Sequence, residues 1–268
     1  MKNHFIALLI ACTACAIVSC KKSDSPPAPT VIWTKSIPMS AKFELPAPAG
    51  RNETGTADIK LMSDHSLIYN IAITGLASGD ALTAAHIHTG DAGTNGGVYI
   101  PFTGISGSTV SGTVQLTQAQ ADSITNFPAY VNVHSTQVGS GLARGQIDSK
   151  VTFAADVTMV GANENPAVTT TATGVALLRA TEDKKLYTKI TVTNLEAGDV
   201  LTAAHIHTGA AGVNGPVIIG FYSSAAEFGT LKINVLDDVL YSSLLTGAVY
   251  VNAHSTAHPG GLVRGQIR

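Results

Sequence analysis

The sequence predicts an all-β protein made of two tandem antiparallel β-sandwich domains, of Greek-key or immunoglobulin-like type, each with one short helix. Three observations predict it. First, the second half repeats the first. Leu82-Thr-Ala-Ala-His-Ile-His-Thr-Gly90 returns as Leu201-Thr-Ala-Ala-His-Ile-His-Thr-Gly209, an offset of 205 − 86 = 119. Tyr130-Val-Asn-Val-His-Ser-Thr and Arg144-Gly-Gln-Ile return as Tyr250-Val-Asn-Ala-His-Ser-Thr and Arg264-Gly-Gln-Ile, at 254 − 134 = 120. A period this long is a duplicated domain rather than a solenoid of small units. Second, halving 268 residues gives copies of ordinary domain size, large enough for a core each. Third, short alternating or apolar runs recur about eight times per copy, separated by Gly, Asn, Asp and Pro turn signals. Only 13% of residues are charged, which suits a β-rich extracytoplasmic chain better than a helical cytosolic one.

The elements follow in order. Lys2 precedes an apolar run, Phe5 to Val18, too short for a comfortable transmembrane span. It ends in Ile17-Val18-Ser19-Cys20, which resembles a bacterial lipobox. Residues 1–19 therefore read as a lipoprotein signal peptide and Cys20 as the lipidated residue. An ordinary signal peptide with a chance cysteine is the alternative. Cys12 and Cys15 would leave with the signal, so no thiol or disulfide would remain in the mature domains. Residues 20–32, with Lys21-Lys22-Ser-Asp-Ser-Pro-Pro-Ala-Pro, read as an extended tether. Lys21, where an Asp would signal retention, points to the outer rather than the inner membrane of a bacterial cell envelope. The domains are then 33–149 and 150–268.

Within the first domain, Trp33 to Leu45 reads as a strand broken by Pro38. Thr54 to Met62 and Leu67 to Leu76 read as a hairpin around Ser63-Asp64-His65. Leu82 to His88, Val98 to Ile100, Val110 to Leu116, Ala129 to His134 and Leu142 to Ile147 supply further strands. Asn95-Gly96, matched by Asn214-Gly215, reads as a tight turn whose residues tolerate positive φ. Thr117 is a candidate N-cap for a short helix, and Leu236 to Leu245, with Asp237 and Asp238 at its start, is the counterpart. Val151 follows Ile147 so closely that the two domains are expected to behave as a stiff pair.

The histidines carry the chemistry. Residues i and i+2 of a strand share a face, so His86 and His88 point the same way, as do His205 and His207. His134 and His254 lie on a later strand; if it neighbours the first, three imidazoles converge in each copy. Such a set suits copper or zinc, with three nitrogens and one open position. No Cys, and no Asp or Glu at matching spacing, competes as ligand. The structural alternative is a set of histidines tying a polar rim to backbone carbonyls. Arg144 and Arg264 also have two readings: a fork that satisfies loop carbonyls, or a guanidinium that steers an anion toward the histidines. His4, His65 and His258 have no counterpart in the other copy.

His-Ile-His-x-Gly, the Asn-Gly pair, Val-Asn-x-His and Gly-Leu-x-Arg-Gly-Gln-Ile together resemble the CHRD domain, the repeat named after chordin and found also in microbial proteins. Glu164-Asn165-Pro166 with Gly174 resembles that family's N-terminal signature, and Glu44-Leu45-Pro46 with Gly55 is a looser version. The resemblance covers about 33–148 and 151–268 and implies a β-rich extracellular domain. In the family an acidic residue often precedes the x-Arg-Gly pair, where this chain has Leu142 and Leu262. A fainter likeness is to copper/zinc superoxide dismutase: a strand His-x-His, a later strand His and a Gly-rich segment with Arg, without that enzyme's bridging-ligand loop or disulfide.

Two function classes follow. One is a membrane-anchored lipoprotein whose modules bind an unidentified protein or matrix partner without catalysis. The other is a metal-binding protein with one three-His site per domain, and with superoxide-dismutase-like redox chemistry as its extension. A hydrolase is disfavoured, since no Gly-x-Ser-x-Gly, surviving Cys nucleophile or carboxylate pair stands out. The net charge of −2 gives no reason to expect nucleic acid as a partner.

Overall fold

The computed structural model describes residues 27–268; the expected signal peptide and Cys20 lie outside the described residues. The first domain comprises β1 (Val31–Ser40), β2 (Thr54–Met62), β3 (Ser66–Thr74), β4 (Leu82–Thr89), β5 (Val98–Phe102), β6 (Ile105–Ser106), β7 (Thr109–Gln115), α1 (Gln118–Asn126), β8 (Ala129–Ser135) and β9 (Ala143–Gln146). The second repeats it as β10 (Val151–Val160), β11 (Thr173–Thr181), β12 (Lys185–Thr193), β13 (Leu201–Thr208), β14 (Val217–Tyr222), β15 (Lys232–Val235), α2 (Asp238–Thr246), β16 (Val249–Ser255) and β17 (Val263–Gln266). No helix of the described residues is long and apolar enough to cross a membrane.

Each copy is one antiparallel sheet, ordered β5-β4-β8-β9-β1-β2-β3-β7-β6 in the first and β14-β13-β16-β17-β10-β11-β12-β15 in the second. The sheet curls over an apolar cluster into a near-barrel. The two layers of each sandwich are therefore halves of one sheet, joined at Ser40↔Arg144 in the first domain and Val160↔Arg264 in the second.

Local sequence explains most elements. Strand residues alternate between core and surface, as with Leu67, Tyr69, Ile71 and Ile73 buried on β3. The Thr117 hydroxyl accepts from the Gln120 N–H and the Gln120 side chain accepts from the Thr117 N–H, a full capping box for α1. Asp237 caps α2 through the Leu240 N–H at 2.8 Å.

Two expectations are corrected. Pro38 does not break β1, because β1 pairs with β9 only at Ser40. At Pro38 the strand has no partner on that side among the described residues, and the missing N–H costs no ladder bond there. Asn95-Gly96 is not a positive-φ turn, since neither residue lies among the left-handed ones. Gly96 is required for another reason: a Cβ there would stand 1.6 Å from the Thr89 carbonyl oxygen, and at Gly215 one would stand 1.8 Å from that of Thr208.

The domains meet directly. Ala92, Val151 and Tyr187 form a buried cluster with Phe43, Ala154 and Leu231 packed against it. Arg179 of β11, almost wholly buried, reaches across to the carbonyls of Phe43 and Glu44.

Candidate metal centre

The site lies on the face of β4, β8 and β9 that turns away from the core. Ala85, Ile87, Val131, Val133 and Ala143 fill the core on one side. The alternate residues His86, His88, Tyr130, Asn132, His134, Arg144 and Gln146 form the other face. β8 is the direct antiparallel neighbour of β4, with His86 opposite Asn132, His88 opposite Tyr130 and Ala84 opposite His134. His134 is thus one diagonal step from His86 and on the same face. β13 and β16 repeat this register.

The structure brings all three predicted histidines together in each domain. One nitrogen from each of His86, His88 and His134 lies within 4.8 Å of the others, and the same holds for His205, His207 and His254. His86 Nδ1 and His134 Nε2 are 3.2 Å apart, as are His205 Nδ1 and His254 Nε2. Two nitrogens on a tetrahedral zinc with bonds of about 2.05 Å would be about 3.3 Å apart.

The tautomers follow from the backbone. His88 Nδ1 is 3.0 Å from the Gly96 carbonyl and His134 Nδ1 is 3.0 Å from that of Gly139. A carbonyl only accepts, so each neutral ring carries its proton on Nδ1 and leaves Nε2 with a free lone pair. His207 and His254 do the same with Gly215 at 2.9 Å and Pro259 at 3.0 Å. Fixing a ring by its far nitrogen is how a protein orients a metal-ligating imidazole. Among the described residues the buried Nε2 atoms of His88 and His207 have no hydrogen-bond partner, an arrangement that is costly unless something else occupies the lone pair. Asn252 Oδ1 lies 3.1 Å from His254 Nε2; with the ring proton on Nδ1 both atoms are acceptors, so no hydrogen bond uses this lone pair.

Burial and then the neighbouring imidazoles hold His86 and His205 below the ordinary histidine pKa. Burial also lowers His88 and His254. These four rings are therefore in the ligating, neutral form near neutrality.

Arg144 and Arg264 do not point into this cluster. The Arg144 guanidinium donates to Asp91 O at 2.5 Å, Thr94 O at 3.1 Å and Asn95 Oδ1 at 3.1 Å, and is 1% exposed. Arg264 serves Ala210, Val213 and Asn214 in the same way. Their donors are taken by the loop that also carries Gly96 or Gly215, so each arginine shapes the site by holding that loop. β8 lies between β4 and β9. The Tyr130 ring accordingly sits between His88, stacked on it at 5.0 Å, and Arg144, whose guanidinium carbon is 3.4 Å from the ring centre.

Sequence reasoning misses two carboxyls. It assigns Glu44 and Glu164 no role and expects no acidic residue at matching spacing. Both are buried, and Glu44 stands beside the histidines of its domain. Glu44 lines one cavity with His88, Asn132, His134 and Gly141, and a Cβ on Gly141 would meet its carboxyl at 3.0 Å. Glu164 approaches Gly261 in the same way. Burial pushes each up to about 7, against the pull of Arg144 on Glu44 and of Arg264 on Glu164. The Glu-x-Pro that recurs in the two copies is the signal that could have found them. Leu142 and Leu262, where the family often has an acidic residue, face the core, and the carboxyl near that corner comes from Glu44 or Glu164 instead.

A family model described as the CHRD domain matches residues 35–147 and again residues 155–267. No curated protein and no solved structure matches the chain.

Proposed function

The chain belongs to the CHRD domain family, and on that premise we propose that it is a tandem binding protein whose two modules each hold one copper or zinc ion on three histidines. The ligands are His86, His88 and His134 in the first module and His205, His207 and His254 in the second. One observation carries the reading. In both domains the three rings converge, and two of the three have their Nδ1 proton committed to a backbone carbonyl, which leaves Nε2 free for a metal. Three neutral nitrogens leave a coordination position open, which suits an exchangeable ion better than a closed structural site. We place the modules on the cell envelope through a lipid at Cys20, with the outer membrane as the destination, and read the protein as non-catalytic.

The test is a metal titration of the soluble chain from residue 21 onward. Two equivalents of Cu(II) or Zn(II) per chain should survive gel filtration, falling to one in His134→Ala and to none when His254→Ala is added. A parent chain that retains no metal would sink the proposal. The coarser reading that the family match supports, a binding module, would then apply to a protein or matrix partner. A superoxide assay on the copper-loaded chain tests the redox extension.

A further inference from the structure

The two histidine sites are built alike but held differently. In the second domain the segment after Val160 is tied down by its own module. Asn165 donates through its side chain to Gly212 O at 2.7 Å, and Asn214 donates to Asn165 O at 2.6 Å. In the first domain Leu45 stands where Asn165 does and has no amide to give. Its segment keeps only the other of these two ties, from Asn95 to the Leu45 carbonyl, and the second domain supplies the further holds. Arg179 donates to the carbonyls of Phe43 and Glu44 and is ion-paired to Asp156 at 2.7 Å. The second oxygen of Asp156 accepts the Ala47 N–H at 2.7 Å. The clamp runs in one direction only, because the equivalent first-domain positions are Lys60 (179 − 119 = 60) and Ser36 (156 − 120 = 36).

The clamped segment walls the first site. The Glu44 side chain lines the cavity of His88 and His134. The Leu45 carbonyl accepts from Asn95 at 2.5 Å, and Asn95 accepts from Arg144, which lies over Tyr130, which stacks on His88. Every link is a direct contact, so a shift of the segment reaches a ligand ring through packed groups.

We infer that the second domain is a positioning element for the first domain's metal site: Arg179 and Asp156 hold the Phe43–Ala47 segment in place, while the site of His205, His207 and His254 is self-contained. This inference rests on the metal-binding reading above. Arg179 and Asp156 touch no ligand and act only through the segment they hold.

The experiment uses the full soluble chain with one site silenced at a time. His205→Ala with His207→Ala leaves the first site to be read, and His86→Ala with His88→Ala leaves the second. Cu(II) is the probe, followed by competition titration and by electron paramagnetic resonance. Arg179→Met should weaken the first site by about tenfold, the low end for groups behind metal ligands, and change its copper hyperfine splitting. It should leave the second site unchanged, and Arg179→Lys should restore part of the loss. Asp156→Asn is the second variant and should act in the same direction. Arg179 belongs to the second domain, so general unfolding would strike the second site first. Equal weakening of both sites, or no change at the first, overturns the inference. Amide hydrogen exchange of the metal-free chain reads the clamp without copper. Arg179→Met should lose protection at Ala47 and across residues 91–97 but not across 211–216. Failure of the parent to bind copper sinks the metal reading, whereas unchanged exchange sinks the clamp.

Discussion

The guanidinium of Arg144 lies 3.4 Å from the centre of the Tyr130 ring, and Arg264 repeats this over Tyr250 at 3.3 Å. Because His88 and His207 stack on these same rings, at 5.0 Å and 4.8 Å, each arginine braces one histidine through a phenol while its fork holds the neighbouring loop. A lysine at 144 keeps the charge but is a single point, and it cannot serve Asp91, Thr94 and Asn95 together. Arg144→Lys should therefore cost about 2–4 kcal/mol of stability, since buried loop carbonyls lose their donors. Urea unfolding measures this, and a midpoint equal to that of the parent would refute the loop-holding role.

Metal affinity should depend on pH in a defined window. Burial holds His86, His88, His205 and His254 below the ordinary value of 6.5, so these rings are already neutral at pH 7. Affinity should stay nearly flat from pH 8 down to about 6.5 and fall below that, as protons compete for the ligating nitrogens. Zinc titrations at several pH values check this. A steep loss already between pH 8 and 7 would mean that a group other than these histidines binds the ion.

The buried glutamates set an opposite trend in the metal-free protein. Glu44 has an ordinary value of 4.5 and a folded value of about 7. The folded state thus binds the extra proton between these limits. The stability this supplies is full below about 4.5 and is lost as pH rises through about 7. Glu44→Gln cannot ionise, so it should gain on the parent between pH 5 and pH 8, by on the order of 3 kcal/mol. The lowered histidines work the other way, their contribution being present above 6.5 and lost as pH falls. Glu164 and the histidines act alike in both proteins, so the parent should lose stability relative to Glu44→Gln as pH rises from 5 to 8. Denaturation curves at the two extremes decide it, and parallel profiles for the two proteins would refute it.

Anchoring is tested on the full chain expressed in a bacterium. Wild type should fractionate with membranes, and Cys20→Ser should either be released or retain its leader. Wild type that behaves as a soluble periplasmic protein would remove Cys20 from the lipidation proposal.

Much of this architecture is written locally. The duplication, the strand alternation of β3, the Thr117 and Asp237 caps and the shared face of His86 and His88 follow from periodicity and from single-residue preferences. These act over a few residues and need no knowledge of neighbours. The recurrence of His134 as His254 is equally plain in the sequence, but the place of its strand is not. Only the tertiary structure sets β8 beside β4, because strand order depends on which distant segments pair across a closed loop, and local propensity is silent on that. The same holds for Pro38, which is tolerated because β1 lacks a partner among the described residues on one side there, and for Gly96, which is required because the end of β4 passes too close for a side chain. It holds most for Glu44. Its carboxyl reaches the cavity of His88 and His134 from a segment far upstream of both, and Arg179 of the other domain holds that segment there. Sequence by itself determined which residues could bind a metal. The curl of the sheet and the docking of the domains decided which groups surround them, since those contacts join segments far apart in the chain.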